Sequence, residues 1–534
     1  MPRAGGARRL YLGLDSSTQS LSAIVIEVDG ADARLVLDAS ISFDEALPHY
    51  GTRHGVLPPA EPSVAVSSPV MWAEALDLMM GRLAESGLDL QRLAAMSGSA
   101  QQHGSVYLRA EATRRLSALD PAQPLARQIE GVLARPVAPI WLDSSTATEC
   151  AEISDAVGGA SILAARTGSR AFERFTGPQI RKLAKVDPDA YARTARIHLV
   201  SSFLASLLAG RDAPVDPGDA SGANLMDLAT ATWWHEAVEA TAPGLAPRLP
   251  TIAPAASIVG PLAPYWRMRH GLPAAKVVTW SGDNPCSLIG AGLVMEGRVA
   301  VSLGTSDTIF GLMRAPRVDP GGTGHVFGAP TGDYMGLTCF SNGALARERV
   351  RDTYGLSWGD FSRALASTPA GNDGRILIPW FAPEITPPVR RAAVHRYGLT
   401  EDDVAGNVRG VVEAQQMALA RHSRWMAVDV DTIHATGGAS VNDQILQVMA
   451  DVFGADVYRS SVTNSAALGA ALRAWHADAA AEGQPVSWEE VTAGLAWSAS
   501  ERRITPDTRR HHVYQELMSV YEACEARALS SSAA

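Results

Sequence analysis

Two stretches of the chain share one pattern: LYLGLDSSTQSLSAIVIEV, from Leu10 to Val28, and VAVSLGTSDTIFGLM, from Val299 to Met313. In each, an apolar segment typical of a strand leads into a short run of Gly, Ser, Thr and Asp, and a second apolar segment follows. A turn of that composition offers free backbone N–H groups and hydroxyls at one point, which suits a phosphate group. The repetition predicts two related domains, each holding one side of a nucleotide.

The size and charge of the chain agree with that division. It has 534 residues, of which 46% are hydrophobic and 19% are charged. Because a single core stops growing at about 250–300 residues, two domains are expected, and we place them at residues 8–292 and 293–528. The net charge of −10 disfavours nucleic acid or a membrane surface as a partner, since both favour basic patches.

The cysteines and apolar runs indicate the compartment. Four widely spaced cysteines predict neither a zinc site nor a disulfide framework. No apolar run approaches the ~18 residues of a membrane helix. The first apolar run is interrupted by Asp15 too early for a signal peptide. We expect a soluble, cytoplasmic protein that is a monomer or a homodimer.

The first turn has two interpretations. Asp15 ends the apolar segment, and Ser17–Gln19 follow it. A carboxylate there can hold a magnesium ion, while the amides and hydroxyls that follow contact phosphate oxygens. The alternative is an ordinary β-turn, in which Asp and Ser are common. The second turn, Gly304–Ser306, is open to the same two interpretations.

A third turn contains two glycines. Gly437–Ala439 separate a predicted strand from a predicted helix, Val441 to Phe453, for which Ser440 and Asp443 fit a capping pair. Glycine lets the backbone approach a nucleotide closely because it has no Cβ, and Asn442 can bond the base or ribose. The alternative is a plain strand-to-helix turn.

The three turns together have the layout of the actin-like ATPase fold. This is an α/β, ribonuclease H-like fold in which two domains with duplicated mixed sheets, flanked by helices, face a central cleft and bind ATP from opposite sides. The chain lacks a GxxxxGK[ST] motif, which disfavours the P-loop nucleotide folds.

A candidate general base lies in SGDNPCSL, residues 281–288. Asp283 follows a predicted buried strand and stands beside a predicted helix N-terminus. A carboxylate in that position can accept the proton of a sugar hydroxyl as the hydroxyl attacks the γ-phosphate. The alternative is that Asp283 only caps the helix.

Three further side chains are candidates for ligand contacts. His103 and Arg170 lie in loop-like stretches and can bond the hydroxyls and ketone of a sugar. A lone histidine is more often structural. Trp358 can stack on adenine, with aromatic core packing as the alternative.

With these motifs the chain resembles a known family, the FGGY carbohydrate kinases. The resemblance runs from about Leu10 to about Tyr521 and is carried, in order, by DSSTQS, SGSAQQHG, WLDSST, TGSRAFERFTG, SGDNPCSL, VSLGTSDT and ATGGASVN. Within the family the chain is most similar to the animal-type subgroup that acts on D-xylulose. Ser17 supports that subgroup, since most of the family has Gly at this position.

The resemblance implies ATP-dependent phosphorylation of D-xylulose at its 5-hydroxyl, with Mg²⁺ and with Asp283 as general base. Sugar contacts are implied for His103, Arg170, Asp283 and Asn284. ATP contacts are implied for Trp358, Gly437, Gly438, Ala439 and Asn442. Phosphate contacts are implied for the first motif, with Asp15, Ser17, Thr18 and Gln19, and for the second, with Gly304, Thr305 and Ser306.

Two other functions would require some of the same sequence features. Another FGGY kinase, acting on ribulose, a related ketose or a polyol, would have the same motifs. A non-catalytic actin-like ATP-binding protein would need the turns but no general base, and Asp283, Asn284 and Arg170 argue against it.

Overall fold

The structure is a computed structural model that describes residues 8–30, 32–460, 464–496 and 502–532. Its strands, in chain order, are β1 (Arg9–Ser16), β2 (Ser20–Asp29), β3 (Asp32–Ser42), β4 (Val66–Ser67), β5 (Leu93–Ala100), β6 (Ser105–Leu108), β7 (Ala138–Pro139), β8 (Arg196–Leu199), β9 (Met226–Asp227), β10 (Thr232–Trp233), β11 (Ile258–Pro261), β12 (Lys276–Val278), β13 (Ser281–Gly282), β14 (Arg298–Leu303), β15 (Asp307–Met313), β16 (His325–Gly328), β17 (Tyr334–Phe340), β18 (Ile376–Trp380), β19 (Ala393–Tyr397), β20 (Thr432–Thr436), β21 (Asp456–Arg459) and β22 (Arg503–Ile504).

The α-helices, in chain order, are α1 (Phe43–Ala46), α2 (Pro69–Ala84), α3 (Ala112–Ser117), α4 (Leu125–Glu130), α5 (Ala147–Ala156), α6 (Ala160–Thr167), α7 (Thr176–Val186), α8 (Pro188–Arg193), α9 (Val200–Ala209), α10 (Pro217–Ser221), α11 (His235–Thr241), α12 (Pro264–His270), α13 (Asp283–Gly290), α14 (Ala344–Thr353), α15 (Trp358–Ser367), α16 (Val404–His422), α17 (Asp443–Phe453), α18 (Ser465–Ala481), α19 (Trp488–Thr492) and α20 (Thr508–Ser532). Among the helices of the described ranges, none is long and apolar enough to cross a membrane.

The chain forms two compact units. Unit 1 comprises Met1–Val294, Val326–Tyr334 and Val462–Trp497. Unit 2 comprises Met295–His325, Met335–Ser461 and Ser498–Ala534. The first break in the chain, after Val294, lies close to the predicted boundary, but a later segment returns to unit 1.

The main sheet of unit 1 has the strand order β11-β12-β5-β1-β2-β3. Strands β1, β2 and β3 form an antiparallel meander whose first two strands are the predicted repeat, whereas β5 runs parallel to β1 and β12 runs parallel to β5. Strand β13 also pairs with β5 in parallel. Because β1, β5 and β13 run in parallel, Asp15 and the residues that follow β5 and β13 come out at one edge of the sheet.

The main sheet of unit 2 repeats this arrangement with β17-β15-β14-β20-β21-β22. The second repeat forms the antiparallel pair β14–β15, and β20 runs parallel to β14. Strand β21 in turn runs parallel to β20 and antiparallel to β22. The predicted α/β fold with duplicated mixed sheets is therefore confirmed.

Helix α18 covers one face of the unit 1 sheet, and small residues allow it to approach closely. A Cβ on Gly13 of β1 would lie 2.0 Å from the carbonyl oxygen of Ala467. A Cβ on Gly290 of α13 would lie 1.8 Å from the carbonyl oxygen of Ser465. The Ala- and Gly-rich sequence of this helix therefore permits close contact with β1 and α13.

Two local predictions are wrong. The stretch SGSA, residues 97–100, has the Gly- and Ser-rich composition that predicts a loop, but it continues β5 because it pairs in parallel with the end of β1. Ser440 does not cap α17. The N-cap is Asn442, whose side chain accepts from the backbone N–H groups of Gln444 and Ile445.

Candidate active site

The first turn of unit 1 is closed by its own serines. The backbone N–H of Ser17 donates to the carbonyl of Ser20, and the Ser17 hydroxyl lies 3.0 Å from that of Ser20. The Ser20 N–H donates back to the Ser17 Oγ. Thr18 and Gln19 donate no backbone hydrogen bond within the described part of the chain. Their N–H groups are therefore the ones free to meet an anion.

Thr18 is fixed by a residue of the WLDSST stretch. The indole Nε1–H of Trp141 donates to the Thr18 Oγ at 2.8 Å, although the Trp141 side chain is 43% exposed. Because the Thr18 oxygen accepts this bond, its own O–H remains available to donate. The sequence prediction did not assign Trp141, although the string that contains it was identified.

Asp15 lies at the end of β1, half-buried. The Ser99 hydroxyl donates to its Oδ1, and Oδ2 has no partner among the described residues. Burial, with a smaller contribution from the nearby Asp283 carboxylate, raises the pKa of Asp15 to about 7 against the effect of the Ser99 bond. Two carboxylates without a cation between them concentrate negative charge at this edge of the sheet.

This donor set fits a magnesium ion. Mg²⁺ is usually held by one or two carboxylates and completes its octahedral shell with water and substrate phosphates. Asp15 offers one such carboxylate with a free oxygen. Within the described ranges, no group of three or more His, Cys, Asp or Glu side chains could hold a metal ion without added ligands.

Asp283 is the first residue of α13, after Gly282 as N-cap. It therefore does not cap the helix. Its Oδ1 accepts from the backbone N–H of Asn284 at 2.9 Å and from the Asn284 side-chain amide at 3.1 Å. Burial raises the pKa of Asp283 to about 6, although backbone hydrogen bonds from Asn284 and Gln102 lower it. At neutral pH the carboxylate is ionised and weakly basic.

Gln102 orients both residues of this pair, and the sequence prediction did not assign it. Its backbone N–H bonds to Asp283, and its Oε1 accepts from the Asn284 amide at 2.8 Å. A Cβ on Gly282 would lie 2.4 Å from the Gln102 side chain. Glycine at position 282 is thus required for Gln102 to reach α13.

His103 is buried and held in one tautomer. Its Nδ1 donates to the carbonyl of Gly222 at 2.8 Å, which leaves Nε2 as an acceptor. Burial, with a smaller contribution from the positive charge of Arg174, lowers the pKa of His103 to about 3, although the Gly222 bond acts the other way. The ring packs on Phe175 at 4.6 Å. A neutral imidazole with a free Nε2 can accept a hydrogen bond from a hydroxyl group.

Arg170 is half-buried, with its guanidinium carbon 4.7 Å from the centroid of the Phe172 ring. It donates no hydrogen bond within the described ranges. Hydrogen bonds therefore join Asp283, Asn284 and Gln102 in one network. Asp15 interacts with Asp283 through its charge alone, and Arg170 is not bonded to the network within the described ranges.

The second turn, in unit 2, is more open. Thr305 and Ser306 are exposed, and neither residue has a hydrogen-bond partner among the described residues. The carbonyl of Gly304 accepts from the backbone N–H of Ala344, the first residue of α14. Asp307, just after the turn, pairs with the buried Arg347 through two bonds of 2.8 and 3.1 Å.

The two glycines of the third turn have different surroundings. Gly437 has φ +83°, and a Cβ there would lie 2.7 Å from the carbonyl oxygen of Leu303. A Cβ on Gly438 would meet no atom within 4 Å. Gly437 is required by the fold, whereas Gly438 faces open space.

That open space is a cavity of about 560 Å³ within unit 2. Predicted nucleotide contacts line it: Gly304, Thr305, Trp358, Gly438, Ala439 and Asn442. Ser306 and Gly437 do not line it. Asn442 also caps α17 and donates to the Ser362 hydroxyl at 2.7 Å, so its amide is already bonded within the protein.

Helix α14 contributes to the cavity and was missed by the sequence prediction. Ala344, Arg347 and Glu348 line the wall, as do Val441 and Ile445 from the third-turn segment. Trp358 is 43% exposed, with the Arg351 guanidinium carbon 4.5 Å from its ring centroid. No short motif in the sequence marks α14, because its cavity-facing residues are spaced by helical turns.

Comparisons with known proteins extend these observations. Residues 134–290 match the N-terminal domain model of the FGGY family of carbohydrate kinases, and residues 299–477 match the C-terminal domain model of that family. A xylulose kinase of Mus musculus is 42% identical, over 99% of this chain and 96% of its own length. Xylulose kinase 2 of Arabidopsis thaliana is 41% identical, over 88% of this chain and 87% of its own.

Solved structures agree in fold. A xylulose kinase from Rhodospirillum rubrum superimposes with a TM-score of 0.82 at 21% identity, covering 98% of this chain and 100% of its own. A Plasmodium falciparum glycerol kinase with ADP gives 0.76 at 16% identity, covering 98% of each chain. With two family models and relatives above 40% identity over most of its length, the chain belongs to the FGGY family of carbohydrate kinases.

Proposed function

We propose that this carbohydrate kinase transfers the γ-phosphate of ATP to the 5-hydroxyl of D-xylulose, giving D-xylulose 5-phosphate and ADP. The observation that carries the proposal is the Asp283 carboxylate, which is oriented by Asn284 and Gln102 and has a pKa raised to about 6. A base of that strength is ionised at neutral pH and accepts a proton readily. The printed names of the relatives support D-xylulose as the sugar.

Asp283 is the proposed general base. As the sugar O5 forms its bond to the γ-phosphorus, its proton passes to the Asp283 carboxylate. The bond between the γ-phosphorus and the bridging oxygen breaks, and ADP leaves with the electron pair. The carboxylic acid then returns its proton to solvent. Removal of the proton prevents a positive charge from building on O5.

Sugar binding is proposed for the polar groups around Asp283. The free Nε2 of His103 and the side-chain Oδ1 of Asn284 accept bonds from sugar hydroxyls, because both Asn284 amide hydrogens are used within the protein, while Arg170 donates. Because His103 is neutral down to about pH 3, it acts as a fixed acceptor and does not titrate with the reaction. The aromatic packing of His103 limits its rotation.

Phosphate binding is proposed for the two turns. The N–H groups of Thr18 and Gln19 and the Thr18 hydroxyl donate to phosphate oxygens, as do Thr305 and Ser306 of the second turn. Asp15 is the residue that would hold Mg²⁺, which when bound offsets the negative charge of the phosphates. Ser17 contributes through the shape of the turn, because its hydroxyl and N–H are used inside it.

Nucleotide binding is proposed for the cavity of unit 2. Adenine stacks on Trp358, and the backbone of Gly438 and Ala439 lies beside the nucleotide. The cavity volume of about 560 Å³ lies within the range typical of small-molecule sites. The two domains proposed for these roles are residues 8–292 for the sugar and residues 293–528 for ATP, with α18 as a part of the second sequence domain that packs in unit 1.

A coupled assay of ADP release tests the proposal. D-xylulose, D-ribulose, L-ribulose and xylitol are compared with ATP and Mg²⁺. The highest kcat/KM is expected for D-xylulose. A clear preference for another ketose or polyol would show that D-xylulose is not the main substrate. Tight ADP binding without turnover on any sugar would support a non-catalytic ATP-binding protein.

A further inference from the structure

One wall of the unit 2 cavity is a single helix, α14. Ala344 and Glu348 both line the cavity and are four residues apart, so they lie on one face, separated by about 6 Å along the axis. The N–H of Ala344 bonds to the Gly304 carbonyl, which joins the start of the helix to the phosphate-type turn. Glu348 is therefore one helical turn away from the phosphate end of the cavity.

The opposite end of that wall is aromatic. Arg351, three residues beyond Glu348, lies against the Trp358 indole with its guanidinium carbon 4.5 Å from the ring centroid. Trp358 itself lines the cavity. Along α14, Glu348 thus falls between the turn proposed for the phosphates and the indole proposed for the base. In every nucleotide the group between phosphate and base is the sugar.

The Glu348 carboxylate has no partner in the described ranges, although α14 is rich in arginine. Arg347 is paired with Asp307, and Arg351 is paired with Asp352 while it covers Trp358. Arg349 is adjacent in sequence and faces another direction on a helix. The carboxylate is exposed at the cavity wall with all its acceptor positions available.

We propose that Glu348 accepts hydrogen bonds from the 2′- and 3′-hydroxyls of the nucleotide ribose and makes the enzyme selective for ribonucleotides. This inference rests on the proposed ATP site. A carboxylate has two oxygens that only accept, and a vicinal diol offers two donors, so the pair forms charge-assisted hydrogen bonds. Contact with the phosphates instead would place like charges together.

The test compares nucleotides as phosphate donors for D-xylulose. Wild type and Glu348→Ala are assayed with ATP, 2′-deoxy-ATP, 3′-deoxy-ATP and ITP. We expect wild type to use ATP with a kcat/KM roughly 10-fold above that of at least one deoxy analogue, the effect of one hydrogen bond to a charged group. In Glu348→Ala the kcat/KM for ATP is expected to fall to that for the deoxy analogue, while the kcat/KM for the analogue stays the same.

Control variants separate this contact from other effects. Arg349→Ala, on the same helix but outside the cavity wall, is expected to keep the wild-type preference for ATP. Glu348→Gln keeps an acceptor oxygen and is expected to keep part of the preference for ATP over the deoxy analogues. Equal losses with ATP and the deoxy analogues in Glu348→Ala would overturn the inference. A loss of discrimination against ITP alone would also overturn it, because that result assigns Glu348 to the base.

A binding measurement keeps the inference independent of the sugar. Calorimetric titration of wild type and Glu348→Ala with ADP and 2′- and 3′-deoxy-ADP needs no phosphoryl transfer. If D-xylulose is not a substrate but the ADP preference is lost in Glu348→Ala, only the proposed function fails. If wild type binds all three nucleotides equally, the inference fails whatever the substrate.

Discussion

In the first turn the Ser17 hydroxyl bonds to Ser20 and the Thr18 hydroxyl accepts from Trp141, whereas Thr305 and Ser306 in the second turn have no bonded partner in the described ranges. The carboxylates beside the turns differ in the opposite sense. The negative charge of Asp283 helps to raise the pKa of Asp15, while Asp307 is held by two bonds from Arg347. The same strand–turn–strand pattern therefore forms two turns with different hydrogen bonding.

The difference indicates a division of roles. Unit 1 fixes its turn and leaves its carboxylates uncompensated, as a site for metal and proton transfer requires. Unit 2 neutralises its carboxylate and leaves its hydroxyls free beside an open cavity, as a site that accepts a ligand requires. Removing a carboxylate should therefore affect chemistry in unit 1 and stability in unit 2.

The largest effect is expected for Asp283→Asn. Loss of a general base lowers kcat by roughly 100- to 10,000-fold. Thermal stability should not fall, because the substitution removes one of two buried like charges. Steady-state kinetics and a melting curve measure both, and calorimetry with ADP should give wild-type affinity. Near-normal kcat would reject the role of Asp283.

Asp307→Ala tests the other carboxylate. It leaves the Arg347 guanidinium buried without its carboxylate partner, and breaking such a pair costs about 3–5 kcal/mol. We expect a lower denaturation midpoint in urea, with residual activity of the folded fraction close to normal. Arg363→Ala, which breaks an exposed pair with Asp360, is the matched control and should change stability little. Unchanged stability in Asp307→Ala would contradict the structural role.

The pH dependence follows from the raised pKa of Asp283. The base works when ionised, so activity should be complete above about pH 7 and fall about tenfold per unit below pH 6. Rates measured at low concentrations of both substrates report the pKa of the base in the free enzyme. Carboxylates whose pKa is higher in the folded than in the unfolded state favour folding as they are protonated. As the pH falls from 7 to 5, the contribution of Asp15 and Asp283 to stability should therefore rise while activity falls. Constant activity down to pH 5 would contradict the role of Asp283 as general base.

The smallest effect is expected for Trp141→Phe, which removes only the bond to Thr18. Loss of one neutral hydrogen bond corresponds to roughly a 2- to 10-fold change, expected in KM for ATP. In a Thr18→Ala background the same substitution should add nothing, since both act through one hydroxyl. Additive losses would show that the indole acts elsewhere, and the first turn would then resemble the second.

Much of this arrangement could be predicted from the sequence. The hairpins, the duplicated sheets and the position of Asp283 follow from apolar periodicity, turn residues and family motifs. What could not be predicted depends on pairing across the fold. Residues Ser97–Ala100 look like a loop but form a strand because β1 lies beside them. The cap of α17 was misassigned because Ser440 and Asn442 are both good N-cap residues.

The side chains that complete the sites show the same limit. Gln102 and Trp141 are polar or aromatic residues inside recognised strings, and only their hydrogen bonds reveal what they orient. Glu348 is one of several charged residues on a helix. Its position at the cavity wall depends on how α14 meets Gly304, which no local pattern encodes.

Helix α18 has a consequence for protein synthesis. It packs with Tyr11, Ile24 and Ile26 of β1 and β2, yet it lies more than 430 residues after them in the chain. At translation rates of about 5–20 residues per second, the face prepared by the first strands stays without this cover for roughly 20 to 90 s. A nascent chain stalled before Ser465 therefore presents an apolar sheet surface, a natural substrate for ribosome-associated chaperones.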